Sequence, residues 1–200
     1  MIRSLLLAAT LSVSVAAIAP VQAIASEAWA VDPVHTWAQF RVKHLGAGIT
    51  VGRFDVTSGT LTWNAADPTK SAIAVTIQAD SISTGAGAAS TKRDDHLKGA
   101  DFLSVKEFPT ITFASTAIAK AEAADTWTVT GNVTLRGVTK PVTATLVKTG
   151  EGKYPAAMGG KAVMGFEATF AISRREFGIT YGEGMIGDQV QFTYTTEVVK

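Results

Sequence analysis

The 200-residue sequence predicts an all-β fold, about eight amphipathic antiparallel strands with one short helical insert. Three observations lead there. Apolar and polar residues alternate at period two along most of the chain; the polar faces are rich in threonine, which favours strands and tolerates water; and a single charge-dense stretch breaks the pattern. With 46% hydrophobic and 18% charged residues, the chain buries enough surface to offset its conformational entropy, so disorder is excluded. The 18 Lys and Arg balance 17 Asp and Glu without any basic block, which argues against a general nucleic-acid binder. The absence of cysteine excludes disulfides, thiolate metal ligands and Cys nucleophiles.

Residues 1–25 stand apart from the strands. Arg3 gives a positive start, Leu5 to Ala19 is an apolar run, and Pro20 ends it. Val21-Gln22-Ala23 and Ala23-Ile24-Ala25 both offer small residues to a signal peptidase. This is the pattern of a secretory signal peptide cleaved after Ala23 or Ala25, and the run is shorter than the ~20 residues a membrane-spanning helix needs. Export to a bacterial periplasm is expected, with residues 26–200 forming one domain. Removing Arg3 leaves 17 basic against 17 acidic residues.

The strands follow in order. Ala38, Phe40, Val42 and His44 share one face of the first; Leu61 and Trp63 mark the second, and Ile73, Val75, Ile77 and Ala79 the third. Ile111 and Phe113 mark a fourth, and Trp127, Val129, Val133 and Leu135 a fifth. Val142, Ala144 and Leu146 form the sixth, behind Pro141, which suits a strand start. Met164 through Ile172 and Val190 through Val198 complete the set. The insert is Thr91 to Val105, read as a short helix, after which Phe108-Pro109 forces an extended exit. Ser83–Ser90, Thr149–Gly160 and Gly178–Asp188 read as loops. Such a set closes as a barrel or stacks as a sandwich, and periodicity does not separate the two. As a barrel, strands of ~10 residues tilted near 40° stand roughly 25 Å tall. A transmembrane barrel is disfavoured, since one face of each strand carries Thr, Gln, Lys or Arg.

Catalytic patterns are sparse. His35, His44 and His96 show no close spacing, and His35 and His44 on one straight strand stand roughly 30 Å apart, too far to share a metal. His44 reads as a hydrogen-bonded core histidine. Adjacent Asp94 and Asp95 point about 100° apart on a helix, so they cannot flank one bond. Arg174-Arg175 offers either two guanidinium forks for a phosphate or strand-end ion pairs with Glu176 or Asp188. Lys92, Arg93 and His96 form a second small basic cluster on the helix. No nucleophile elbow, P-loop or dinucleotide fingerprint is present. Phe40, Trp63, Phe113, Trp127, Phe166, Phe170, Phe192 and Tyr194 all fall on inward faces, compatible with a filled core or with a tunnel.

Five blocks carry a resemblance. They are Asp32-Pro33-Val34-His35-Thr36 leading to Phe40, with Thr36 where Ser is more usual; Gly52-Arg53-Phe54 before Gly59; Arg93-Asp94-Asp95-His96-Leu97 with Asp101-Phe102-Leu103 and Phe108-Pro109-Thr110; Gly131 through Val142; and Ile172 through Gly178 with Gly187-Asp188-Gln189. In this order they resemble the YceI-like family of exported, lipocalin-like proteins. The resemblance implies an eight-stranded antiparallel lipocalin-like barrel holding a long isoprenoid or other lipid chain: a polyprenyl phosphate or pyrophosphate, a quinone or a fatty amide. Carried over position by position, it places Arg93, His96 and Arg174 near a ligand head and Phe40, Phe102, Phe113, Phe166 and Phe170 along a tail. No reaction is attached to the family, no catalytic residue, cofactor or metal is expected, and the energetics of a buried tail suit passive lipid release to a membrane or protein partner. Two other readings stay open: an enzyme of isoprenoid or quinone metabolism using His96 and a nearby Asp, and a ligand-free interaction module.

Overall fold

The computed structural model describes residues 26–200, so the expected signal peptide lies outside the described residues. The elements are β1 (Glu27–Val31), β2 (Trp37–His44), β3 (Gly48–Phe54), β4 (Thr57–Trp63), β5 (Ala72–Gln78), β6 (Ile82–Ser83), α1 (Ala88–Lys98), β7 (Thr110–Lys120), β8 (Thr126–Leu135), β9 (Val138–Lys153), β10 (Ala162–Ser173) and β11 (Ile186–Val199). All strand pairs are antiparallel. β1 and β2 together form one broken stave, both lying along the same edge of β11. β3 with β4, and β5 with β6, form two more broken staves, because β1 pairs with β4, β2 with β3 and β3 with β6. With the unbroken β7 to β11 they make a closed eight-stave antiparallel barrel carrying one α-helix.

The breaks have local causes. Pro33–His35 is a single 3-10 turn capped by Asp32, whose carboxylate accepts from Val34 N at 2.9 Å. Thr36, fully buried behind it, donates to Asp32 O at 2.7 Å and sits 2.8 Å from Thr196 Oγ1. The hydroxyl, not the extra methyl, makes these contacts, so Thr serves where Ser is usual. His35 therefore stands in a turn and not on one strand with His44. His44 is exposed at the end of β2 and is no core residue.

Other boundaries shift as well. β1 and β3 are not among the expected strands. β3 turns Ile49 and Val51 outward and Gly52 inward, so its alternation carries no core face. α1 starts three residues early and stops at Lys98, where Gly99 leaves the helix in an extended conformation. β9 runs to Lys153, paired with β10 through Lys153↔Ala162, so the expected loop begins only at Tyr154. Ile186 to Asp188 likewise belong to β11.

The interior has two clusters. One, at the α1 end, holds Phe40, Phe54, Phe102, Leu103, Ile172 and Phe177. The other, at the opposite end, holds Trp29, Leu61, Trp63, Trp127, Phe166 and Val198. Phe113 packs against both.

Candidate ligand tunnel

Strand parity sends Met164, Phe166, Ala168, Phe170 and Ile172 of β10 inward, opposite Val198, Thr196, Tyr194, Phe192 and Val190 of β11. The space they enclose is not filled. A slender channel of about 120 Å³ runs through the barrel, lined by aliphatic and aromatic side chains and four hydroxyl residues, Thr60, Thr112, Tyr194 and Thr196, with no charged residue. Beside it Trp63 meets Trp127 edge-on at 5.4 Å and Phe166 at 5.5 Å, and of these three rings Phe166 lines the channel. Above it lies a wider chamber of about 430 Å³, within the size range of small-molecule sites. Ile111, Leu135, Ile172 and Phe192 line both spaces, so they form one tunnel.

Two glycines keep the lumen open. Gly52 sits under the Phe40 ring, and Gly131 under the Phe113 ring; a Cβ at either position would collide with the ring. Each ring therefore packs directly against the strand that carries its glycine. Phe170 and Phe192 stack at 5.1 Å, almost parallel, on an adjacent stretch of wall.

The structure divides the expected site residues between the two spaces. Phe113, Phe166 and Phe170 line the lower channel. Phe40, Phe102, Arg93, His96 and Arg174 line the upper chamber, so the three expected head-group residues share one end of the tunnel.

Their polar atoms are partly committed. Arg93 Nε donates to Thr84 Oγ1 at 2.7 Å and Nη2 to Thr84 O at 2.8 Å, while Asp94 accepts from Thr84 N; these bonds strap α1 to β6 and leave Arg93 Nη1 free. His96 Nε2 lies 3.0 Å from Asp101 Oδ2, and its ring meets Phe102 and Tyr181 edge-on, both at 5.0 Å. Arg174 is only 4% exposed and is spent differently from the phosphate fork considered above. Its guanidinium donates to the carbonyls of Gly187, Ile179, Tyr181 and Ile186, so one of its five N–H groups remains. It pins residues 178–187 across the mouth. Burial pulls its pKa down, though a guanidinium stays charged. Arg175 makes the strand-end pairs, with Glu183 at 3.0 Å and Asp188 at 3.8 Å. Asp188 also accepts from Ser173, which holds its carboxyl below the usual range.

Three features go beyond the sequence reading. Phe192, read as inward but not placed along the tail, lines both halves of the tunnel. Tyr181, an isolated aromatic in a glycine-rich loop, closes a ring triad with His96 and Phe102, and nothing in its local pattern announces this. Outside the barrel wall, Asp32, His35 and Glu197 converge with Tyr154: His35 Nδ1 lies 2.9 Å from Asp32 Oδ2, and Tyr154 Oη lies 3.0 Å from Asp32 Oδ2 and 2.9 Å from Glu197 Oε2. The His35 bond holds the Asp32 carboxyl low and raises the His35 imidazole, while Glu197 and burial push the Tyr154 phenol up. These groups lie within ligating reach of a single cation, yet they satisfy one another.

The sequence matches the YceI-like domain over residues 29–198. It is 38% identical over 166 residues to Protein YceI of Salmonella arizonae and to that of Salmonella enteritidis, covering 83% of this chain and 82% of each relative. Burkholderia cenocepacia BcnA superposes with a TM-score of 0.72 at 24% identity, over 84% of this chain and 98% of that one. The Campylobacter jejuni YceI protein does so at 0.66 and 25% identity, over 79% and 89%. A polyisoprenoid binding domain from Saccharophagus degradans, implicated in plant cell wall breakdown, superposes at 0.62 with 12% identity, over 86% and 97%. The motif blocks, the closed barrel and the extent of these matches agree, and the chain belongs to the YceI-like family.

Proposed function

We propose that this protein is an exported, periplasmic and non-catalytic carrier that holds one long isoprenoid or other lipid chain in its barrel. One observation carries the reading: the tunnel has charged residues at one end only. Its lower channel lacks any charged residue, whereas Arg93, His96 and Arg174 gather around the upper chamber. That asymmetry suits a ligand with a small polar head and a long apolar tail, such as a polyprenyl phosphate, a quinone or a fatty amide. Each buried methylene contributes ~0.8 kcal/mol, so a long tail needs few polar contacts to be retained. The polyisoprenoid binding domain that shares the fold supports the ligand class.

Native mass spectrometry of the protein purified from its own periplasm without detergent, followed by organic extraction, tests this. The expected result is a discrete adduct released on denaturation and identified as a long-chain lipid. An unshifted mass after addition of polyprenyl phosphates, quinones and fatty amides would overturn it. The His96–Asp101 contact favours a second reading, an enzyme of isoprenoid or quinone metabolism with this pair as acid and base. His96→Ala separates the two: a carrier keeps most of its tail affinity, and an enzyme loses turnover with its ligand still bound.

A further inference from the structure

We propose that the hairpin of β2 and β3 is a docking surface that seats the tunnel mouth on an anionic phospholipid membrane. The proposal rests on the carrier reading for its purpose, while its observations are independent of any ligand.

From Trp37 to Phe54 the hairpin carries Arg41, Lys43 and Arg53 and no Asp or Glu. Arg53 pairs with Asp55, but Arg41 and Lys43 have no acidic partner among the described residues. Cross-strand register sets Lys43 beside Ile49 and Arg41 beside Val51, all four pointing outward. Ile49 is 45% and Val51 54% exposed, and Leu45 at the tip is 60% exposed. Leu45 N donates to Met185 O at 2.7 Å, which brings Met185, 49% exposed, into the same surface. Leu45 holds a φ of 53°, a left-handed conformation that Gly or Asn adopts more easily. The turn itself gains nothing from a leucine projecting into water there, so the side chain needs another account.

Position supplies one. His44, between Lys43 and Leu45, lines the upper chamber, so the patch borders the mouth of the tunnel. Alternating cations and aliphatic side chains on one exposed rim suit the boundary between headgroups and acyl chains. The nearby acid of the facing loop, Glu183, is already paired with Arg175. The β3 edge from Gly48 to Gly52 is also unpaired among the described residues and could in principle take a second copy of the chain. Two such hairpins would oppose their uncompensated cations, however, whereas anionic lipid complements them.

The test is sedimentation of the mature protein with vesicles of phosphatidylglycerol and phosphatidylcholine, against phosphatidylcholine alone, with native mass spectrometry of the same samples. Binding is expected to the anionic vesicles only and to weaken with salt. Arg41→Glu should weaken it about tenfold, since each juxtamembrane cation is worth roughly a fivefold change and the reversal adds repulsion. Ile49→Ser should weaken it as well, while Lys153→Glu, at the opposite end of the barrel, should leave it within about twofold. Equal loss in Arg41→Glu and Lys153→Glu, or no loss in the hairpin variants, would overturn the proposal. So would a dimer in solution that Leu45→Ser dissolves. A lipid adduct without vesicle binding sinks docking alone, and vesicle binding with no adduct under any added lipid sinks the carrier reading alone.

Discussion

Gly131 and Phe113 show how single residues decide whether this barrel is full or hollow. Eight staves leave room for little more than side chains, so an aromatic ring standing across the axis would close the lumen. Phe113 instead lies on Gly131, and Phe40 on Gly52. Gly131→Ala forces the ring off the wall. The expected outcome is a stability loss of about 1–3 kcal/mol from overpacking, read by urea denaturation, with weakened uptake of a long-chain probe. Arg174 is the other decisive residue. Arg174→Lys retains the charge but cannot reach four carbonyls, and each hydrogen bond to a charged group contributes roughly 1.5–3 kcal/mol. The variant should lose at least one such increment and show faster hydrogen exchange at Ile179, Tyr181, Ile186 and Gly187. The resemblance singled out Arg174 for a ligand head, whereas its burial against four loop carbonyls depends on the path of residues 178–187, which no local pattern encodes.

At the scale of elements, the strap of Tyr154 to Asp32, His35 and Glu197 ties the β9–β10 hairpin to the break in the first stave. Its pH dependence follows from the shifts. His35 is raised above its unfolded value of 6.5, so its contribution is complete below that pH and is lost as pH rises through the raised value. Asp32 is lowered below 3.8, so its contribution is present above that pH and lost as pH falls through the lowered value. The melting-temperature difference between the wild type and His35→Gln should therefore shrink when pH goes from about 6 to about 8.5; an unchanged difference would show that the strap does not couple to the fold. These elements also mark how far the sequence could be read. Staves that bury one face were legible from alternation, down to the parity of β10 and β11. β1 was too short and alanine-rich to register, and β3 points its aliphatic side chains outward. The strap was invisible because Asp32, Tyr154 and Glu197 are joined only by the closure of the barrel.

For the molecule as a whole, the length of the channel sets a limit on what the tunnel accommodates. Across a series of saturated amides, affinity should climb by up to about fourfold per methylene while the chain still descends. It should level off once the chain has filled the channel, a break visible in competition against a fluorescent fatty probe. A series without any plateau would mean that the channel opens at its far end. The barrel outline was implied by motif order, whereas the placement of Phe40 and Phe102 beside Arg93, His96 and Arg174 rather than along the lower channel, and the depth of the tunnel, depend on ring orientations that no spacing encodes. One further consequence concerns how the chain comes to be folded at all. Closure pairs Ala30 with Val199, and β11 seals β10 to both halves of the first stave. Until β11 is in place the sheet is an open ribbon with two unpaired edges and no enclosed core. The same topology leaves a product truncated before β11 with two edges free to aggregate.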